Sequence, residues 1–153
     1  MRFINTIRID RPQAAVFAYL SDLENLPRWN YAIRETRKIT TGPVVVGTRY
    51  RQIRTIPVHS EESFEVTEFE PGHKLTIRGW LSSFPAQISY VLHPEGDTTS
   101  LTNAVDLQAS RPLTMLAPFA THRIKSAVAD NLGVLKRILE RSGGADPATG
   151  VGG

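Results

Sequence analysis

Between Ile33 and Leu107 the chain alternates as six short segments: 33–41, 48–56, 58–70, 74–80, 84–93 and 98–107. Turn formers cut them apart at Thr41-Gly42-Pro43, Ile56-Pro57, Pro71-Gly72, Leu81-Ser82-Ser83 and Pro94-Glu95-Gly96-Asp97. A parallel crossover needs about a dozen residues or more, and none of these connections has them. The segments are therefore expected to pair as an antiparallel meander. Residues 2–10 add a seventh strand, because Phe3, Ile7 and Ile9 share one parity while Arg2, Thr6 and Arg8 share the other.

The remaining segments read as helices. Asp10 is placed to cap one, with Pro12 in its first turn, Gln13 completing a capping box, and Val16, Phe17 and Leu20 on its buried face. Ser21 with Glu24 forms a second box, and Pro27 keeps the helix it opens short. After the meander, Ser110 caps a long helix with Pro112 in its first turn, and Pro118 is expected to kink or divide it. Leu113, Ala117, Ala120, Ile124, Ala127, Val128, Asn131, Leu135 and Ile138 fall on one stripe of that helix, with Lys125, Ala129, Lys136 and Glu140 facing away. Ser142-Gly143-Gly144 is expected to stop it. The order predicts an α+β domain over residues 1–141 and a disordered tail over 142–153.

Composition removes several function classes. The 153 residues suit one domain, and 41% hydrophobic with 22% charged residues is an ordinary globular balance. Eighteen Lys and Arg against fifteen Asp and Glu leave +3 without a basic block, so no nucleic acid partner is expected. Without cysteine there are no disulfides, thiolate nucleophiles or zinc-thiolate sites. His59, His73, His93 and His122 lack metal-ligand spacing, so no metal and no cofactor are expected. No apolar run is long enough for a membrane span, no signal peptide is read, and the expected location is cytoplasmic.

Particular motifs sharpen this reading. Ile9-Asp10-Arg11-Pro12 with Val16-Phe17, then Leu20 to Asn30 with its Pro27-Arg28-Trp29, resemble the opening of the polyketide cyclase/dehydrase group. Gly42-Pro43 with Val46-Gly47-Thr48, the run Val66 to Pro71, and the hairpin from Pro94 to Asn103 are similar too. This group belongs to the START-like, or SRPBCC, superfamily. The resemblance implies the helix-grip fold, a seven-stranded curved antiparallel sheet around a long C-terminal helix with two short helices between strands 1 and 2. The superfamily includes lipid carriers, hormone receptors, aromatase-cyclases and chaperone cofactors, so fold alone does not settle function.

Polar residues on faces that should be buried are the informative feature. A turn near Pro57 pairs Tyr50 with Phe64 and Gln52 with Glu62, and leaves Arg54 diagonal to Glu62, all on the concave side. The turn at Glu95-Gly96-Asp97 sets Tyr90 opposite Asn103, with Ile88, Leu92, Leu101 and Val105 around them. Asn131 falls within the apolar helix stripe, where Ala117, Ala120 and Ala127 fill little volume. Either these polar groups satisfy one another in a closed core, or water and ligand reach them through a cavity.

The expected function is binding a small, largely apolar molecule, such as a polyketide, aromatic, steroid-like or lipid compound, between sheet and helix. Candidate ligand-binding residues are Trp29, Tyr50, Gln52, Phe64, Trp80, Phe84, Ile88, Tyr90, Asn103, Phe119, Ile124 and Asn131. Arg123 reads as a salt-bridged or solvated rim charge. Entry is expected between residues 80–84 and 112–120, with Phe84 and Phe119 closing it. An alternative is a polyketide cyclase or dehydratase, with Tyr90 or Glu62 as acid or base and Arg54 and Asn103 polarising a carbonyl. A third is a protein-interaction or chaperone-cofactor module. The chain is expected to act as a monomer or homodimer.

Overall fold

The computed structural model describes residues 1–81, 84–108 and 117–144, the side chains of 117–120 excepted. The order is β1 (Arg2–Ile9), α1 (Gln13–Ser21), a 3-10 turn (Leu23–Asn25), α2 (Leu26–Trp29), β2 (Ile33–Lys38), β3 (Arg49–Arg54), β4 (Ser60–Glu70), β5 (Lys74–Leu81), β6 (Phe84–Glu95), β7 (Thr98–Leu107) and α3 (Ala117–Gly144). One antiparallel sheet holds all seven strands in the order β1-β7-β6-β5-β4-β3-β2. Each neighbour from β2 to β7 is also the next strand in sequence, as the short connections require. The first strand lies at the far edge from β2, so α1, the 3-10 turn and α2 carry the chain from one edge to the other.

Register follows the turns. Gly96, at φ 64°, supplies the left-handed residue of the β6–β7 hairpin and sets Tyr90 opposite Asn103. Across β3 and β4, Tyr50 faces Phe64, Gln52 faces Glu62 and Arg54 faces Ser60, which leaves Arg54 diagonal to Glu62 as the alternation requires.

The long helix packs unequally along its length. In its C-terminal half Leu132, Leu135 and Leu139 are buried with Ile9, Val16, Phe17, Leu20, Leu92 and Leu101. Each such leucine contributes roughly 2 kcal/mol of burial. Nearer the other end, Ile124, Ala127 and Val128 are only half-buried. Leu132 and Leu139 join the buried stripe, which the helical spacing alone does not assign to them, whereas Lys125 and Ala129 do face away.

Several local readings change. The first helix takes Pro12, not Asp10, as its N-cap, without a side-chain cap bond. Gln13 turns instead to the β4–β5 connection, its Nε2 donating to the Gly72 carbonyl at 2.7 Å. The Ser21–Glu24 box does not form either: Ser21 ends α1, Asp22 precedes the 3-10 turn, and the Glu24 carboxylate accepts the Lys38 amide at 3.4 Å. Ser142 to Gly144 are helical, not tail. Arg11 explains this, because it lies across Gly143 and its Nη1 donates to the Leu139 carbonyl at 2.9 Å, holding the last turn. The expected helix start at Ser110 and tail residues 145–153 lie outside the described residues. No helix of the described residues is long and apolar enough to cross a membrane.

Candidate functional site

Where the long helix is only half-buried, a hollow separates it from the sheet. An inner chamber of about 40 Å³ is lined by Gln52, Arg54, Phe64, Ile77, Ile88 and Tyr90 from the concave strands, with Leu26, Asn30 and Ile33 closing it. That is room for a very few waters or one small polar group. An outer chamber of about 490 Å³ is walled by Tyr31, Ala32, Ile56 and Pro57 on one side and Arg123, Ile124, Ala127, Val128 and Asn131 of α3 on the other. The two share Asn30, Arg54 and Leu81. The outer volume lies within the usual range of small-molecule sites, and most of its lining is apolar.

Arg54 stands at the junction. Its alternation on β3 points it inward, and its side chain is only 6% exposed. A buried cation needs a partner, and Glu62, 3% exposed, supplies it: Arg54 Nε donates to Glu62 Oε1 at 2.7 Å. Gln52 Nε2 donates to Glu62 Oε2 at 2.7 Å, and Ser60 Oγ donates to Oε1 at 3.2 Å. Both oxygens of the carboxylate are thus engaged, while Nη1 and Nη2 of Arg54 have no hydrogen-bond partner among the described residues.

Other polar groups are left open. Asn131 is buried on α3, and its Oδ1 has no hydrogen-bond partner among the described residues. Tyr90 reaches the inner chamber, its ring edge-on to Trp29 at 6.3 Å, and its hydroxyl also lacks a partner among the described residues. Burial pushes the Tyr90 phenol above its ordinary pKa, which keeps it a protonated donor. Burial, with Asp22 and Glu24 adding to it, raises Tyr50 to about 12.

The structure brings together Gln52, Arg54, Glu62, Phe64, Ile88 and Tyr90, with Ile124 and Asn131 across the outer chamber. It places others elsewhere. Tyr50 is stacked on Phe64 inside the core, and Trp29 is 4% exposed in the same core cluster, where it ties α2 to the sheet. Asn103 is fully buried between strands, its Nδ2 donating to the Ser89 carbonyl at 3.3 Å and its Oδ1 without a partner among the described residues. Phe84 packs with Phe3, Ala86, Val105 and Leu107 in a second apolar cluster. Trp80 borders the inner chamber but is 48% exposed, because its parity on β5 is outward. The Phe119 side chain and the segments 82–83 and 109–116 lie outside the described residues, so the described mouth consists of Tyr31, Ile56, Pro57, Leu81 and Arg123.

Asn30, Tyr31, Ile56 and Pro57 were missed because they belong to connections, where strand alternation carries no information about facing. Two of the histidines are neighbours although their sequence spacing does not suggest it: the β5–β6 hairpin sets the rings of His73 and His93 5.5 Å apart. His73 Nδ1 is occupied by the Leu92 carbonyl at 3.0 Å, and the described residues hold no group of three metal-ligating side chains.

Comparison with known proteins fits this architecture. Three solved structures share the fold: protein TTHA0849 from Thermus thermophilus (16% identity, TM-score 0.77, covering 93% of this chain and 99% of that one), the Zhui aromatase/cyclase from Streptomyces sp. R1128 (9%, 0.73, 93% and 94%), and the di-domain aromatase/cyclase StfQ of the steffimycin biosynthetic pathway (11%, 0.76, 94% and 52%). No curated protein matches the sequence. The family model described as polyketide cyclase / dehydrase and lipid transport matches residues 2–140, and the chain belongs to that family.

Proposed function

We propose that the domain binds one small, largely apolar molecule of the polyketide, aromatic, steroid-like or lipid kind, with its bulk in the outer chamber and a polar end at Arg54. The observation that carries this reading is the Arg54 guanidinium: nine-tenths buried, held through Nε alone, with Nη1 and Nη2 free among the described residues where the two chambers join. A closed core would leave those donors unsatisfied, which costs about 1–3 kcal/mol or more for a charged group. Ile124, Ala127, Val128 and Ile56 supply apolar wall, and Asn131 Oδ1 supplies an acceptor for a ligand hydroxyl.

The test is retention. Protein passed through a cell extract, washed and denatured should release an apolar compound that mass spectrometry identifies. Ala127→Phe, which fills the outer chamber, should release much less while keeping its circular dichroism. Equal release from the variant, or none from either protein, overturns the reading.

Similarity to aromatase/cyclase structures supports a second reading, conversion of the ligand in the same hollow. The geometry favours positioning over proton transfer. Glu62 already accepts three hydrogen bonds, and the Tyr90 phenol holds its proton tightly, so neither suits a general base. Incubation of wild type and Tyr90→Phe with the retained compound separates the readings. Product that the variant forms at least about tenfold more slowly supports conversion, and unchanged compound supports a carrier.

A further inference from the structure

We infer that Glu62 makes the hollow selective for uncharged ligands: it neutralises Arg54 through Nε, so that the guanidinium donates to a ketone, ester, amide or phenol oxygen and discriminates against a carboxylate. This rests on the proposed binding of a small molecule in the hollow.

The electrostatics follow from the contacts. Among the described residues lining the two chambers only Arg54 and Arg123 are charged. Arg123 is exposed at the mouth, where water screens it. Arg54 is buried, and its charge is matched by one buried carboxylate at 2.7 Å. The pair is neutral as a unit. A neutral carbonyl oxygen reaching Nη1 or Nη2 gains a charge-assisted hydrogen bond and adds no net charge to the interior. A carboxylate in the same position makes the same bond, but it leaves the buried group with a net negative charge and adds a second anion to a guanidinium that Glu62 already neutralises. Gln52 and Ser60 do not relieve this, because they already donate to Glu62 and stabilise its charge. Glu62 is therefore a specificity-determining residue that need not touch the ligand.

Two probes of nearly equal shape test this, 1-acetylnaphthalene for the neutral ketone and 1-naphthoate for the anion, with binding followed by NMR of the intact protein. Wild type should bind the ketone at least tenfold more tightly. Glu62→Gln keeps an acceptor for Arg54 and removes the counter-charge, so the ratio should shift toward naphthoate by at least tenfold. Lys125→Gln, which removes an exposed charge on the outward face of α3 away from both chambers, should leave the ratio unchanged. If Glu62→Gln does not fold, the wild-type ratio decides alone: naphthoate bound as tightly as the ketone overturns the inference while leaving the hollow intact. A ratio that is unaltered in folded Glu62→Gln overturns it as well. Neither probe binding to wild type, or both binding equally well to Ala127→Phe, overturns the underlying proposal of a ligand-binding hollow instead.

Discussion

The rings of Tyr50 and Phe64 lie stacked across β3 and β4, their centroids 4.9 Å apart and their planes within 11° of parallel. The pair joins core to site, since Tyr50 is buried in the main apolar cluster and Phe64 also lines the inner chamber. Phe64→Ala should cost about 3 kcal/mol or more in stability, by lost burial and the void left beside an existing space. Urea unfolding measures this. A loss below about 1 kcal/mol would mean that Phe64 contributes little beyond its contact with the hollow.

Directly behind Phe64, Gly79 allows β5 to approach β4 more closely than any other residue permits. A Cβ at position 79 would collide with Phe64 Cβ and stand 2.8 Å from the Ser63 carbonyl, which is backbone and cannot rotate away. Gly79→Ala should therefore destabilise by about 2 kcal/mol, as overpacking does. It should also alter probe binding, because Gly79 lines the inner chamber. The contrast is Gly143→Ala, where the added Cβ meets the flexible Arg11 side chain 2.6 Å away, which can move; unfolding of that variant should occur within about 1 kcal/mol of wild type.

Much of this was legible in the sequence. Period-two alternation between short turns dictates an antiparallel meander, and a turn centred near Pro57 fixes the pairing of Tyr50 with Phe64 and of Gln52 with Glu62. Alternation also assigns Arg54 and Glu62 to one face, but it cannot say that Nε is taken and Nη1 and Nη2 are free, which depends on side-chain reach. Tyr50 and Tyr90 have the same inward parity, yet only Tyr90 reaches the hollow, because depth along the strands decides it. Asp10 and Ser21 failed as caps because Gln13 and Glu24 had tertiary partners, Gly72 and Lys38, that a local motif does not contain.

The two raised phenols predict an alkaline limit. Unfolded tyrosine ionises near 10, whereas Tyr50 in the folded chain does so at about 12 and Tyr90 is raised further. Between these values the native state holds more protons than the unfolded state, so stability falls as pH rises through that window; below about pH 10 the two groups add no pH dependence. Urea midpoints taken from pH 8 upward should begin to drop near pH 10, with tyrosinate absorbance appearing together with unfolding. Tyr50→Phe should flatten the drop, and an equally steep fall in that variant would assign the alkaline limit to other groups.

Asn131 separates a structural role from a ligand-facing one. Its Oδ1 is buried without a partner among the described residues, which penalises the empty protein. Asn131→Leu removes that unmet acceptor and places an apolar side chain against a largely apolar wall, so stability without ligand should rise by about 1 kcal/mol. If a ligand hydroxyl normally satisfies the Asn131 oxygen, the same substitution should weaken retention of a hydroxylated ligand by roughly tenfold, the worth of one buried hydrogen bond. Greater stability with weaker retention assigns Asn131 to the ligand. Reduced stability with retention unchanged assigns it to the fold, as an asparagine satisfied by ordered water.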